Sequence, residues 1–94
     1  MRARVRSWKV RQGAIIKIEL YGVLREVAGA DAVEIPVRVP CLIADVLQAL
    51  IEHYPALSDQ LPRVACAVGD AMRARQDYLY GGETLVLLPP VSGG

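Results

Sequence analysis

Thr84-Leu85-Val86-Leu87-Leu88-Pro89-Pro90-Val91-Ser92-Gly93-Gly94 is the stretch on which the reading of this chain turns. Five apolar-compatible residues in a row, 84–88, predict a strand buried on both faces and therefore central in its sheet. Pro89-Pro90 ends it, because neither residue can donate a ladder hydrogen bond. The last four residues, Val91-Ser92-Gly93-Gly94, have no apolar pattern to bury. A stiff double proline holds such a tail away from the domain. Two glycines without side chains make its tip slim enough for a channel that a Cβ would block. A Gly-Gly ending alone also fits a linker scar or a frayed end. The preceding strand and the prolines are what make it specific.

Working outward, Thr84 is preceded by the turn Tyr80-Gly81-Gly82-Glu83. Before it, Val64 to Val68 reads as a short apolar strand, Gly69-Asp70 as a turn, and Ala71 to Arg75 as a short return strand. From Leu42 to Tyr54 the period changes. Ile43, Val46, Leu47, Leu50 and Ile51 recur at three-to-four spacing, so an amphipathic helix is predicted between Pro40 and Pro55. Its N-cap is poor, since neither Cys41 nor Leu42 is a capping residue, and Asp45 in the first turn compensates in part. Earlier still, Ala14 to Tyr21 alternates Ile16, Ile18 and Leu20 against Lys17 and Glu19. Ala32 to Val37 alternates Val33, Ile35 and Val37 against Glu34 and Arg38. These two strands predict an antiparallel hairpin across a connection, Leu24–Asp31. The order β-β-α-β-β-β predicts an α+β domain, one helix packed across one face of a sheet.

Ninety-four residues suffice for one domain, and an apolar fraction of 53% predicts a packed core, here built without Phe. The net charge of +1 is uneven. Arg2, Arg4, Arg6, Lys9 and Arg11 lie within the first twelve residues with no acid, which leaves the remainder at −4. Such an arm could contact nucleic acid or membrane. It lacks interleaved aromatics, however, and reads as an N-terminal extension over 1–13, with the domain at 14–88 and a functional tail at 89–94. Cys41 and Cys66 form no CxxC and no zinc pattern with His53, so no metal site is expected. No apolar run spans a bilayer and no signal peptide is evident, so a cytoplasmic protein without nucleic-acid or membrane partners is expected.

Conventional catalytic groups read poorly. His53 is a helix-surface histidine, and Asp70, Asp77 and Glu83 are turn acids. Cys66 is expected to be buried and inert, while a helix N-terminus could lower the pKa of Cys41. The remaining group is the carboxylate of Gly94. A carboxylate is a poor electrophile, so a carrier role requires activation, for instance by attack on the α-phosphate of ATP to form an acyl adenylate.

Leu88-Pro89-Pro90-Val91-Ser92-Gly93-Gly94 resembles the ending of the small subunit of molybdopterin synthase, the MoaD family, which is related in fold to the thiamine sulfur carrier ThiS and to ubiquitin. Tyr21-Gly22-Val23-Leu24-Arg25-Glu26-Val27-Ala28-Gly29 resembles that family's first loop. Two local features depart from it: Tyr80-Gly81-Gly82-Glu83 replaces an Asp-Gly-Asp-Glu turn, and Cys41-Leu42 replaces a Ser or Thr cap. The resemblance implies a β-grasp fold with a mixed sheet and a free C-terminal tail. It implies a sulfur carrier with no complete active site of its own. An E1-like enzyme of MoeB type would adenylate Gly94 with Mg-ATP, and a sulfur donor protein would convert it to a thiocarboxylate. A large synthase subunit of MoaE type would then pass the sulfur to a cyclic pterin; no cofactor is bound by this chain. Gly93 and Gly94 would be the reactive end. Tyr21, Arg25, Met72, Leu88, Pro89, Pro90, Val91 and Ser92 would contact partners, although Met72 and Leu88 read equally well as core. The alternatives are a carrier for thiamine, cysteine or another thio-metabolite, a ubiquitin-like protein modifier, and a plain binding domain with an inert tail.

Overall fold

The computed structural model describes residues 11–90. The basic arm up to residue 10 and the tail residues Val91, Ser92, Gly93 and Gly94 lie outside them. Strand β1 (Arg11–Leu20) pairs antiparallel with β2 (Ala32–Val39), with Ile16 opposite Ile35 and Ile18 opposite Val33. The predicted hairpin is therefore present, and β1 begins three residues earlier than the alternation predicts. A register shift between Arg11 and Ala14 separates that extension from the regular ladder.

The link between the two strands is not irregular. It holds a short helix α1 (Val23–Ala28), closed by Gly29 in the left-handed conformation, whose N–H donates to the carbonyl of Arg25. One buried side chain, Leu24, anchors it. Six residues are too few for a helical period to be legible in the sequence.

After the two-residue strand β3 (Cys41–Leu42), helix α2 (Ile43–His53) keeps to the predicted span. Its Ile43, Val46, Leu47 and Leu50 are buried in one cluster with Ile16, Ile18 and Leu20 of β1. Burying each such side chain contributes roughly 1.5–3 kcal/mol, which is what outweighs the poor cap. No side chain caps the helix. Its first free N–H groups are taken by the backbone instead: Ile43 donates to the carbonyl of Asp77 at 2.9 Å and Ala44 to that of Arg75 at 2.9 Å. Two 3₁₀ turns, Pro55–Leu57 and Leu61–Arg63, seal the end of the core with Leu57 and Leu61.

The chain then forms β4 (Ala65–Val68), β5 (Ala71–Arg73), β6 (Tyr78–Leu79) and β7 (Thr84–Leu88). The main sheet has the order β2-β1-β7-β4-β5, with β1 and β7 parallel and the other neighbours antiparallel. β3 and β6 form a separate two-stranded ladder. The last strand is central, as its composition predicts. It is not buried on both faces, however. Leu85 and Leu87 are fully buried under α2, whereas Thr84, Val86 and Leu88 are only half-buried. No helix among the described residues is long and apolar enough to cross a membrane.

Candidate functional site

Register decides which side chains share the face of the sheet away from α2. In β7, Val86 lies opposite Glu19 of β1 and Ala67 of β4; Ala67 lies opposite Met72 of β5. Leu88 lies opposite Ala65, and Thr84 opposite Lys17. The half of this face nearest the end of β7 is thus apolar, made by Ala65, Ala67, Val86, Leu88 and Met72. Met72 is 64% exposed, which excludes the core-packing reading for it. Leu88 is half-buried on the same face. Tyr21, 44% exposed, extends the face, and its hydroxyl donates to Glu19 Oε1 at 3.3 Å. Tyr21, Met72 and Leu88 are therefore brought to one surface beside the start of the tail.

Arg25 on α1 stands next to that surface. It forms an exposed ion pair with Asp31, Nε to Oδ1 3.7 Å, which contributes little to stability. Lys17, Glu19, Tyr21, Arg25 and Asp31 line a shallow recess of about 330 Å³. This charged rim bordering an apolar patch is missed by the sequence patterning, because it depends on the parallel register of β1 and β7 and on α1.

Pro89 is half-buried and Pro90 exposed, so the tail leaves the sheet at the ends of two adjacent strands. Tyr21-Gly22 succeeds β1 just as Leu88-Pro89 closes β7. Gly22 and Pro89 are in contact range: a Cβ built on Gly22 would sit 3.0 Å from Pro89 Cγ.

The conventional groups all have structural roles or open positions. His53 is exposed, with Nδ1 2.9 Å from the carbonyl oxygen of Ala49. Asp77 Oδ2 accepts from the N–H of Ala74 at 2.8 Å. Glu83 Oε1 accepts from the N–H of Tyr80 at 2.7 Å, and its Oε2 lies 3.9 Å from Arg73 Nη2. Both are turn acids. Cys66 is buried, and burial pushes its thiol up, with the Arg75 guanidinium pulling it back in part. The Cys41 thiol is also pushed up, by burial and then by the nearby Asp45 carboxylate. This corrects the expectation that the helix N-terminus lowers it: the start of α2 is occupied by backbone carbonyls, and an acid stands beside it. No group of His, Cys, Asp and Glu among the described residues could hold a metal ion.

A sheet of this order, with one main helix and an exit from the central strand, is the β-grasp arrangement. The model of the ThiS family matches residues 18–94. The chain belongs to the ThiS family. Small archaeal modifier protein 1 of Haloferax volcanii is 32% identical to this ThiS-family chain over 91 residues, covering 81% of it and 97% of the relative. The crystal structure of SAMP1 from the same organism superposes with a TM-score of 0.76 at 30% identity, over 85% of this chain and 99% of that one. A chain in the protein–protein complex of subunits 1 and 2 of molybdopterin-converting factor from Helicobacter pylori superposes at 0.53 with 21% identity, over 85% and 99%. At that identity it shares the fold. The ThiS-family chain is thus a ubiquitin-like β-grasp protein of the ThiS/MoaD sulfur-carrier and modifier class. The reactive end proposed for such a role, Gly93 and Gly94, lies within the family match but outside the described residues.

Proposed function

We propose that this chain acts through the carboxyl of Gly94, activated as an acyl adenylate by an E1-like enzyme using Mg-ATP, and serves as a ubiquitin-like protein modifier that also carries sulfur. The observation that carries this reading is the apolar patch of Tyr21, Val86, Leu88 and Met72 beside the exit of the tail. A partner covering that patch meets Pro89 and Pro90 at a fixed place. Docking energy then comes from the sheet face, while the tip is left free of side chains to enter a narrow site.

The modifier reading is favoured over a dedicated small subunit of molybdopterin synthase. The relative above 30% identity bears the name of a modifier, whereas the molybdopterin-converting factor subunit supports the fold alone. Sulfur carriage for a cyclic pterin, with a MoaE-type subunit and a sulfur donor protein as partners, is the second reading, and the Pro89-Pro90-Val91-Ser92-Gly93-Gly94 ending favours it. Both need the same adenylate. An amine attacking its carbonyl carbon releases AMP and leaves an amide; hydrosulfide releases AMP and leaves a thiocarboxylate, whereas a persulfide releases AMP and leaves an acyl disulfide, which an added thiol cleaves to the thiocarboxylate with formation of a disulfide.

The test is an intact-mass measurement after incubation with an E1-like enzyme and Mg-ATP, with and without a persulfide donor and with lysine-bearing acceptor proteins. Isopeptide-linked products joined through Gly94 support the modifier reading. Exchange of one carboxyl oxygen for sulfur without conjugates supports the dedicated carrier. An unchanged chain in all arms refutes both.

A further inference from the structure

Five glycines among the described residues have positive φ, and four of them (Gly13, Gly29, Gly69 and Gly82) have nothing within 4 Å of where a Cβ would stand. Gly22 is the exception. Its backbone, at φ 59° and ψ −134°, is in a region that residues with a Cβ avoid. Its missing side chain makes room for one neighbour, the ring of Pro89, whose Cγ would be 3.0 Å and Cδ 3.9 Å from a Cβ. Gly22 also anchors α1, since its carbonyl accepts from the N–H of Arg25 at 3.1 Å. The residue is therefore held from one side by the helix and from the other by β1, and Pro89 rests on it.

The geometry points to Gly22 as a positioning residue for the chemistry of Gly94: it is the seat for the first ring of the tail and sets the direction in which Pro90 leads away from the sheet. The inference rests on the reading of Gly94 as the activated group. Proline fixes φ at residues 89 and 90, so once the first ring is seated little freedom remains at the base of the tail. Five further residues reach ~17 Å when extended, so a tilt of about 20° at the base displaces the tip by about 6 Å. A displacement of that size is large against the ångström tolerances of a reacting carboxylate. Val86 and Met72, patch residues on β7 and β5, lie away from the Gly22–Pro89 contact, so the effect falls on turnover more than on partner binding.

The experiment uses the full chain and an E1-like enzyme, and monitors ATP–pyrophosphate exchange dependent on this chain. Three variants are compared with wild type at a temperature where melts show each to be folded. Gly22→Ala fills the seat, Pro89→Gly removes the ring, and Gly69→Ala carries the positive-φ strain (φ 61°) with no neighbour to meet. The expected result is a fall of about tenfold in kcat for Gly22→Ala and Pro89→Gly, with KM within about twofold, and wild-type values for Gly69→Ala. If Gly22→Ala does not fold, Pro89→Gly alone decides. Wild-type kcat in Pro89→Gly, a Gly22→Ala value equal to that of Gly69→Ala, or a rise in KM at unchanged kcat overturns the positioning role while leaving the reading of Gly94 in place. A wild-type chain that supports no exchange overturns both.

Discussion

Replacing Arg75 by Met tests whether one side chain holds the loop after β5 to the rest of the domain. The Arg75 Nη2 lies 2.9 Å from the carbonyl of Leu61, 3.0 Å from that of Val64 and 3.3 Å from that of Pro62, while Nη1 is 3.9 Å from Cys66 Sγ. One nitrogen carries two N–H groups, so these are two full bonds with the longest contact shared. Hydrogen bonds from a charged donor contribute roughly 1.5–3 kcal/mol each. The site is half-exposed, so water reaches the abandoned carbonyls and screens the charge, which takes each bond below the low end of that range; about 2 kcal/mol is expected for the pair. For a domain of this size that is a fall in Tm of about 10 °C. Methionine keeps the apolar stem, and the Arg75 carbonyl that caps Ala44 is backbone, so helix α2 stays formed. Urea unfolding monitored by far-ultraviolet circular dichroism should show a lower midpoint, an unchanged m-value and an unchanged native signal. Arg75→Lys, with a point charge in place of the fork, should recover less than half. A midpoint for Arg75→Met corresponding to less than about 0.5 kcal/mol would refute the claim that these bonds fasten the loop.

Adding an alanine after Gly94, or changing Gly93 to Val, should abolish adenylation with the melting temperature within about 1 °C of wild type, measured by pyrophosphate exchange and thermal melts. Met72→Glu should weaken binding of the activating enzyme by at least tenfold in a titration, with stability within about 0.5 kcal/mol, because Met72 is 64% exposed. Both thiols are pushed up in the folded chain, so above the ordinary value near 9.0 the unfolded chain releases protons that the folded chain retains. Stability is thus expected to hold up to about pH 8 and to fall as pH rises through 9 towards the folded values. Replacing Cys41 and Cys66 by Ala should flatten that fall in urea titrations at pH 8 and 10.

The elements legible in the sequence are those whose side chains alternate or recur against a single core. Ile16, Ile18 and Leu20 identify β1, Val33 and Ile35 identify β2, and Ile43, Val46, Leu47 and Leu50 identify α2, because burial of one face selects one period. The features that escape such a reading depend on partners distant in the chain. The start of α2 is capped by the carbonyls of Arg75 and Asp77, some thirty residues on, and no local residue type announces them. α1 is too short to show a period, and β3 with β6 is a ladder of two residue pairs. The run Thr84–Leu88 hides its own alternation: every position is compatible with burial, but Val86 and Leu88 face outward. Their apolar character on an open face, in a chain with an apolar fraction of 53%, is the mark of the candidate site, and it is visible only once the register is known. The proposed reactive end is the reverse case. Its residues are readable from composition and spacing, and the fold adds the place from which they depart.

The parallel pairing of β1 with β7 has a mechanical consequence. Entering at the start of one strand and leaving at the end of the other, the chain passes out at opposite ends of the same ladder, Lys17–Leu20 against Thr84–Leu87. Tension applied between the two ends slides these strands past one another, so the bonds of the ladder share the load and must yield together. A hairpin pulled at its open end would instead unzip one bond at a time. A pull on both ends therefore meets a mechanically resistant body, and the central ladder is the part that has to give way first.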